Sequence, residues 1–81
     1  MSAQDLRATI MAQLVAVAPD LEGETIADDA HFLDDLGIDS MDFLNLVAAL
    51  KKKLGVEIPE GDFPRVATLA AMTRYLTEKT A

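Results

Sequence analysis

Ser40 stands between Asp39 and Asp42 in the stretch "LGIDSMDFLNL", residues 36–46, where the pattern changes from loop to helix. A hydroxyl there can cap the helix, act as a nucleophile or carry a modification. Nucleophilic catalysis needs a base to take the proton and a group to orient that base. His31 is the only histidine, and the chain has no cysteine. The Gly-x-Ser-x-Gly elbow of hydrolases is absent, because Gly37 is followed by Ile38, Asp39, Ser40 and Met41. His31, without a catalytic companion, reads as a surface loop residue. Paired carboxylates are plentiful, but a domain this small offers little substrate cleft.

A dedicated metal site is not supported either. An EF-hand loop needs acids at positions 1, 3 and 5 before a glycine at 6. With Gly37 as the glycine those positions are Phe32, Asp34 and Leu36; with Gly23 they are Ala18, Asp20 and Glu22. Both registers fail. A helix N-terminus does present free N–H groups and the positive end of a dipole, which favour a phosphate ester. Asp39 and Asp42 would repel that phosphate unless a divalent ion bridged them during attachment. The residues around Ser40 therefore leave two readings open, a cap and a phosphorylated serine.

The elements that must position this serine are helical. Ser2, Ala3, Gln4 and Asp5 resemble a capping box with Asp5 in place of the usual glutamate. Leu6, Ile10, Leu14 and Val17 then share one face, which predicts a helix over residues 3–17, stopped before Pro19. Residues 18–38 have no clean period, and a loop of that length in a compact domain calls for a function. Leu21, Ile26, Phe32, Leu33 and Leu36 are its expected anchors onto the core, and "HFLDDL" suggests a short helical turn.

Asp39 is a natural N-cap for a second helix over Ser40 to Leu54, with Gly55 suited to the left-handed residue past its end. Phe43, Leu46, Val47, Leu50 and Leu54 form its core stripe. Met41, Leu44 and Ala48 form a second, narrower apolar line. By pattern this line is either an exposed docking patch or the edge of a wider core face. Pro59 and Pro64 bracket "EGDF", which predicts no more than a short helical turn. Thr68 caps a final helix with Leu69, Met72 and Leu76 inward. No alternating strand pattern stands out. The fold expected is all-α, with three substantial helices and one or two short turns.

The 81 residues predict one domain spanning 1–81, and 51% apolar residues are enough for a small core. The net charge is −7. Nine of the fourteen acids lie between Asp20 and Asp42, where no Lys or Arg intervenes. That argues against nucleic acid, whose phosphates would be repelled, and leaves basic proteins as partners or simple solvation as the role. No run approaches the roughly 20 apolar residues of a membrane span. "TIMAQLVAVAPD" mimics a signal peptide, but Asp5 occupies the place of a basic n-region and Gln13 interrupts the apolar run. A cytoplasmic monomer is expected.

In combination these residues carry a resemblance. "DDLGIDSMDFLNLVAAL" followed by "GVEIP" is similar to an acyl carrier protein of the phosphopantetheine-attachment class, over nearly the whole chain. Asp39-Ser40-Met41 is a short signature. Leu36 and Gly37 before it, Leu46 and Leu50 after it, and Glu57-Ile58-Pro59 in register make it specific. The resemblance implies a small four-helix bundle, with three longer helices, one short helix and a long loop between helices 1 and 2. It implies 4′-phosphopantetheine on Ser40, attached from coenzyme A by a phosphopantetheinyl transferase, with Asp39 helping to place the metal. The chain would then be a carrier and not an enzyme. The sulfur of such a carrier belongs to the prosthetic group, in keeping with a chain that lacks cysteine. Met41, Leu44 and Ala48 become the exposed face of a recognition helix, and Asp34, Asp35 and Asp42 the acids that meet basic patches on partners. Those partners would be acyl-ACP synthetase, ketosynthase or acyltransferase enzymes of fatty-acid, lipid or polyketide biosynthesis. Phe43, Leu46, Ile58, Phe63 and Leu69 are candidates to line a space for the acyl chain, against ordinary core packing as their alternative.

The chain departs from the commoner fatty-acid carriers at Lys51, Lys52 and Lys53, where acids are usual, and at Asn45. Lysines at a helix C-terminus also complement its dipole, by roughly 0.3–1 kcal/mol each. They reverse the charge of the far half of the recognition helix and suggest a specialised carrier with partners of its own. Bulky Phe43 and Phe63 would narrow any acyl space and favour short or unusual chains. A peptidyl or D-alanyl carrier ranks lower, because Ile38 stands where peptidyl carriers more often have a second glycine. An unmodified helical interaction module is the remaining alternative.

Overall fold

In a computed structural model, which describes residues 2–80, the regular elements are all helical. Three α-helices span Ala3–Val17 (α1), Ser40–Leu54 (α2) and Leu69–Thr80 (α3). A fourth, 3-10 helix spans Glu60–Val66, and a single 3-10 turn spans Pro19–Leu21. Among the described residues there is no strand, only an isolated bridge between His31 and Thr68.

Local chemistry sets the helix ends. Ser2 Oγ accepts the Asp5 amide at 3.1 Å, and Asp39 Oδ1 accepts the Asp42 amide at 2.8 Å. Thr68 Oγ1 accepts the Ala71 amide at 3.1 Å. Each bond satisfies one of the amides that a helix start leaves without an intrahelical acceptor. Gly55 closes α2 at φ +73°, a conformation costly for any residue with a Cβ.

α1 packs against both α2 and α3, and the 3-10 helix packs on α3. Leu6, Ile10 and Leu14 of α1, Leu46 and Leu50 of α2, and Leu69, Met72 and Leu76 of α3 are fully buried between them. Ile38, Val66 and Tyr75 join this core, although helical periodicity did not single them out.

The long segment between α1 and α2 is tied down at its middle. Arg7 Nε donates to Asp28 Oδ1 at 2.8 Å. The Asp28 carbonyl accepts the Ala70 amide at 2.9 Å, and the Phe32 amide donates to the Ala67 carbonyl at 3.0 Å. Thus the loop supplies an acceptor for α3's first turn, as Thr68 does. Ile26 and Phe32 are buried anchors, and Leu21 and Leu36 pack partly buried against the core. Leu33 departs from the expectation: it is 43% exposed. In the tight turn over residues 32–36 adjacent side chains diverge, and Phe32 takes the inward position, its ring 6.0 Å from that of Phe43. "HFLDDL" does form a turn, with the Asp35 and Leu36 amides both donating to the His31 carbonyl.

The helix after Pro59 is longer than the flanking prolines predict. It runs seven residues and contains Pro64. Buried Val66 anchors one end, and the Tyr75 hydroxyl donates to Asp62 Oδ2 at 2.7 Å. These tertiary contacts outweigh the backbone hydrogen bond that proline cannot make.

Candidate functional site

Ser40 is the first residue of α2 and is exposed. Asp39, in extended backbone conformation, holds the Asp42 amide, and the Asp39 carbonyl accepts the Phe43 amide at 3.0 Å. The cap is thus supplied by Asp39, which leaves the Ser40 hydroxyl free of that duty. His31 is exposed on the loop, and its backbone N–H donates to Asp35 Oδ2 at 2.8 Å. No group of three or more potential metal ligands occurs among the described residues.

Beside Ser40 opens a recess of about 390 Å³ between the start of α2 and the 3-10 helix. Leu33, Phe43, Leu44 and Phe63 line it, and Ser40 and Glu60 contribute polar groups. Phe43 and Phe63 meet edge-to-face with ring centroids 5.2 Å apart. That pair joins two elements whose backbones do not otherwise approach closely. Of the five residues expected to line an acyl space, Phe43 and Phe63 face this recess. Leu46, Ile58 and Leu69 lie in the sealed core and are at most 3% exposed. None of these three lines the recess, although Leu46 follows Phe43 by only three residues in the same helix. Leu33 is the lining residue that periodicity missed. Its only sequence signal was a second bulky apolar residue next to an already sufficient anchor. A second recess of about 370 Å³ lies between α1 and α3, lined by Arg7, Ala70 and Arg74 among others, and holds none of the expected site residues.

Met41 is 66% and Leu44 46% exposed, and Ala48 is exposed on the same face. The second apolar line of α2 is therefore a surface feature and not a wider core face. Asp34 and Asp35 are exposed in the segment before α2, and Asp42, within its first turn, is half-buried. α2 thus presents a buried stripe to α1 and an exposed apolar line rimmed by acids near Ser40.

A family model for the phosphopantetheine attachment site matches residues 9–76. Ser40 suits such a group on structural grounds: the hydroxyl is exposed, and among the described residues the amides of Ser40 and Met41 have no hydrogen-bond partner. An acyl carrier protein of Zymomonas mobilis is 38% identical over 61 residues, 75% of this chain and 78% of that protein. The protein AcpXL of Rhizobium meliloti is 45% identical over 49 residues, 60% of this chain; the chain spans about half the length of that relative, 52%. In fold, the chain superposes on the solution structure of a candidate acyl carrier protein from Anaplasma phagocytophilum. The TM-score is 0.87 at 22% identity, over 100% of this chain and 94% of that one. The chain belongs to the acyl carrier proteins of the phosphopantetheine-attachment family. Members of this family are carriers, not enzymes, and their cofactor is 4′-phosphopantetheine. Among the described residues no helix is long and apolar enough to cross a membrane.

Proposed function

We propose that Ser40 carries the 4′-phosphopantetheine arm and that the protein is a specialised acyl carrier, monomeric and cytoplasmic, with residues 1–81 forming one carrier domain. The exposed hydroxyl at the start of α2, beside an apolar recess of about 390 Å³, is the observation that carries this reading. The Ser40 hydroxyl displaces the nucleotide half of coenzyme A at phosphorus, loses its proton and becomes a phosphodiester. Asp39, next to it, helps hold the metal ion of the transferase. The arm's terminal thiol holds acyl groups as thioesters.

The chain's own residues do the rest. Phe43 and Phe63 set how much of the recess an acyl chain can fill, and their bulk favours short or unusual chains. Met41, Leu44 and Ala48 dock partners, with Asp34, Asp35 and Asp42 steering basic surfaces toward them. Those partners are the phosphopantetheinyl transferase and then synthetase, ketosynthase or acyltransferase enzymes of fatty-acid, lipid or polyketide biosynthesis. Matches to AcpXL proteins of two organisms, named apart from the plain acyl carrier proteins alongside them, support a specialised role.

Incubation with coenzyme A and a promiscuous transferase tests the attachment. Intact mass should rise by one phosphopantetheinyl group. Ser40→Ala should show no gain while keeping its helical circular dichroism. An unchanged mass in the natural sequence would leave an unmodified helical module.

A further inference from the structure

The exposed face of α2 changes sign along its length. Residues 41, 45, 48 and 52 follow one another at helical spacing, so Met41, Asn45, Ala48 and Lys52 share one strip, with Leu44 and Lys51 along its edge. Near its N-terminal end Leu33 lines the recess with Ser40 and Leu44, and the exposed acids Asp34 and Asp35 follow Leu33 in the chain. At the C-terminal end Lys51, Lys52 and Lys53 are all exposed. Lys51 pairs with Glu57 at 3.3 Å, whereas Lys52 and Lys53 have no carboxylate partner among the described residues. At 1.5 Å per residue, about 17 Å separates Met41 from Lys52 along the helix axis. The surface therefore reads acidic, apolar, basic in one line.

We infer that this strip docks a partner protein whose surface reads basic, apolar, acidic over the same span, so that Lys52 and Lys53 meet an acidic patch about 17 Å from the basic patch beside Ser40. The inference rests on the carrier reading and names the kind of partner it serves. Charge complementarity selects a protein over the alternatives. An anionic membrane surface would attract the lysines but repel the acids at the other end and a chain of net charge −7. A second copy turned antiparallel would match the signs locally, but it would bring together two chains of that charge and cover Ser40. The two-sign pattern also fixes direction. A partner with a basic patch alone holds only the Ser40 end and leaves the far end of α2 unguided, whereas one with both patches fixes both ends of the helix.

The holo-protein is tested in its native cells with a photo-reactive amino acid in place of Lys52 and, in parallel, of Asp35. The expected result is one protein captured at both positions, crosslinked through an Asp/Glu-rich segment at 52 and a Lys/Arg-rich segment at 35. K52E/K53E should lower capture at position 35 about tenfold, and reversing the partner's acids to lysine should restore it. Helix-dipole loss alone would lower the melting temperature of K52E/K53E but leave capture at 35 intact, and would overturn the inference. So would capture at position 52 through a basic or neutral segment, capture of lipid or only of a second copy, or no capture at 52. Intact mass is read on the same samples. Chains that carry the phosphopantetheinyl group but fail at position 52 defeat this inference alone, whereas chains without the group defeat the carrier reading and this inference with it.

Discussion

Asp39 joins two roles that substitution separates. Its carboxylate caps α2 through the Asp42 amide at 2.8 Å, and in the proposed transferase complex it helps hold a metal ion. Asparagine keeps an acceptor oxygen but not the charge. Asp39→Asn should therefore hold stability within about 0.5 kcal/mol while slowing modification at least tenfold, measured by mass against time. Asp39→Ala should lose both, costing about 1 kcal/mol of stability, or about 4–8 °C in melting temperature for a domain of this size.

A second residue-scale prediction concerns Tyr75. Its hydroxyl donates to Asp62 at 2.7 Å, while Arg65 and Lys79 lie over its ring at 5.3 and 5.4 Å. The hydrogen bond to Asp62 holds the phenol above its ordinary value of 10.0, with burial and the Asp62 charge adding to the effect. The folded state thus binds this proton more tightly than the unfolded chain does. The stability it contributes is complete below pH 10.0 and is lost as pH rises through the raised value. Melting temperatures taken at pH about 9 and about 11 should fall more steeply for the natural sequence than for Tyr75→Phe. Equal slopes would show that this hydroxyl does not titrate with folding.

At the scale of the element, α2 has two apolar faces with opposite duties. Leu46 is fully buried and Leu44 is 46% exposed, two positions apart in one helix. Leu46→Ala should cost about 2–5 kcal/mol in denaturant unfolding, because the closely packed core cannot collapse onto the void. Leu44→Ala should stay within about 0.5 kcal/mol yet weaken partner capture, since its side chain is exposed on the proposed docking line. A Leu44→Ala variant as unstable as Leu46→Ala would place this line in the core after all. The 3-10 helix shows the same division. Its buried Val66 and its Asp62–Tyr75 bond fasten it to α3, while Phe63 reaches across to Phe43 and forms the inner surface of the recess.

For the whole molecule the governing quantity is a net charge of −7, with nine acids between Asp20 and Asp42. Among the described residues Arg7 neutralises only Asp28 in that segment, at 2.8 Å. Self-repulsion should be relieved by screening, so moderate salt should raise the melting temperature. No group of three potential metal ligands converges among the described residues. Magnesium and sodium chloride at matched ionic strength should therefore give similar rises. A much larger effect of magnesium would reveal a bound ion, and no rise with either would mean that these acids are already well separated.

The sequence by itself determined where α1 and α2 begin and end and which stripes of them face inward. It also marked which serine opens α2. Those features depend on contacts within a few residues: Ser2, Asp39 and Thr68 satisfy amides three positions on, Gly55 adopts a left-handed turn, and apolar spacing repeats once per turn. Only the tertiary structure decided the rest. Phe32 rather than Leu33 anchors the loop, the helix after Pro59 continues through Pro64, and the exposed line of Met41, Leu44 and Ala48 stays uncovered. The recess beside Ser40 opens where Phe43 and Phe63, twenty residues apart, meet. Each of these outcomes is a competition among residues distant in the chain for the same space, and local pattern holds no record of which of them wins.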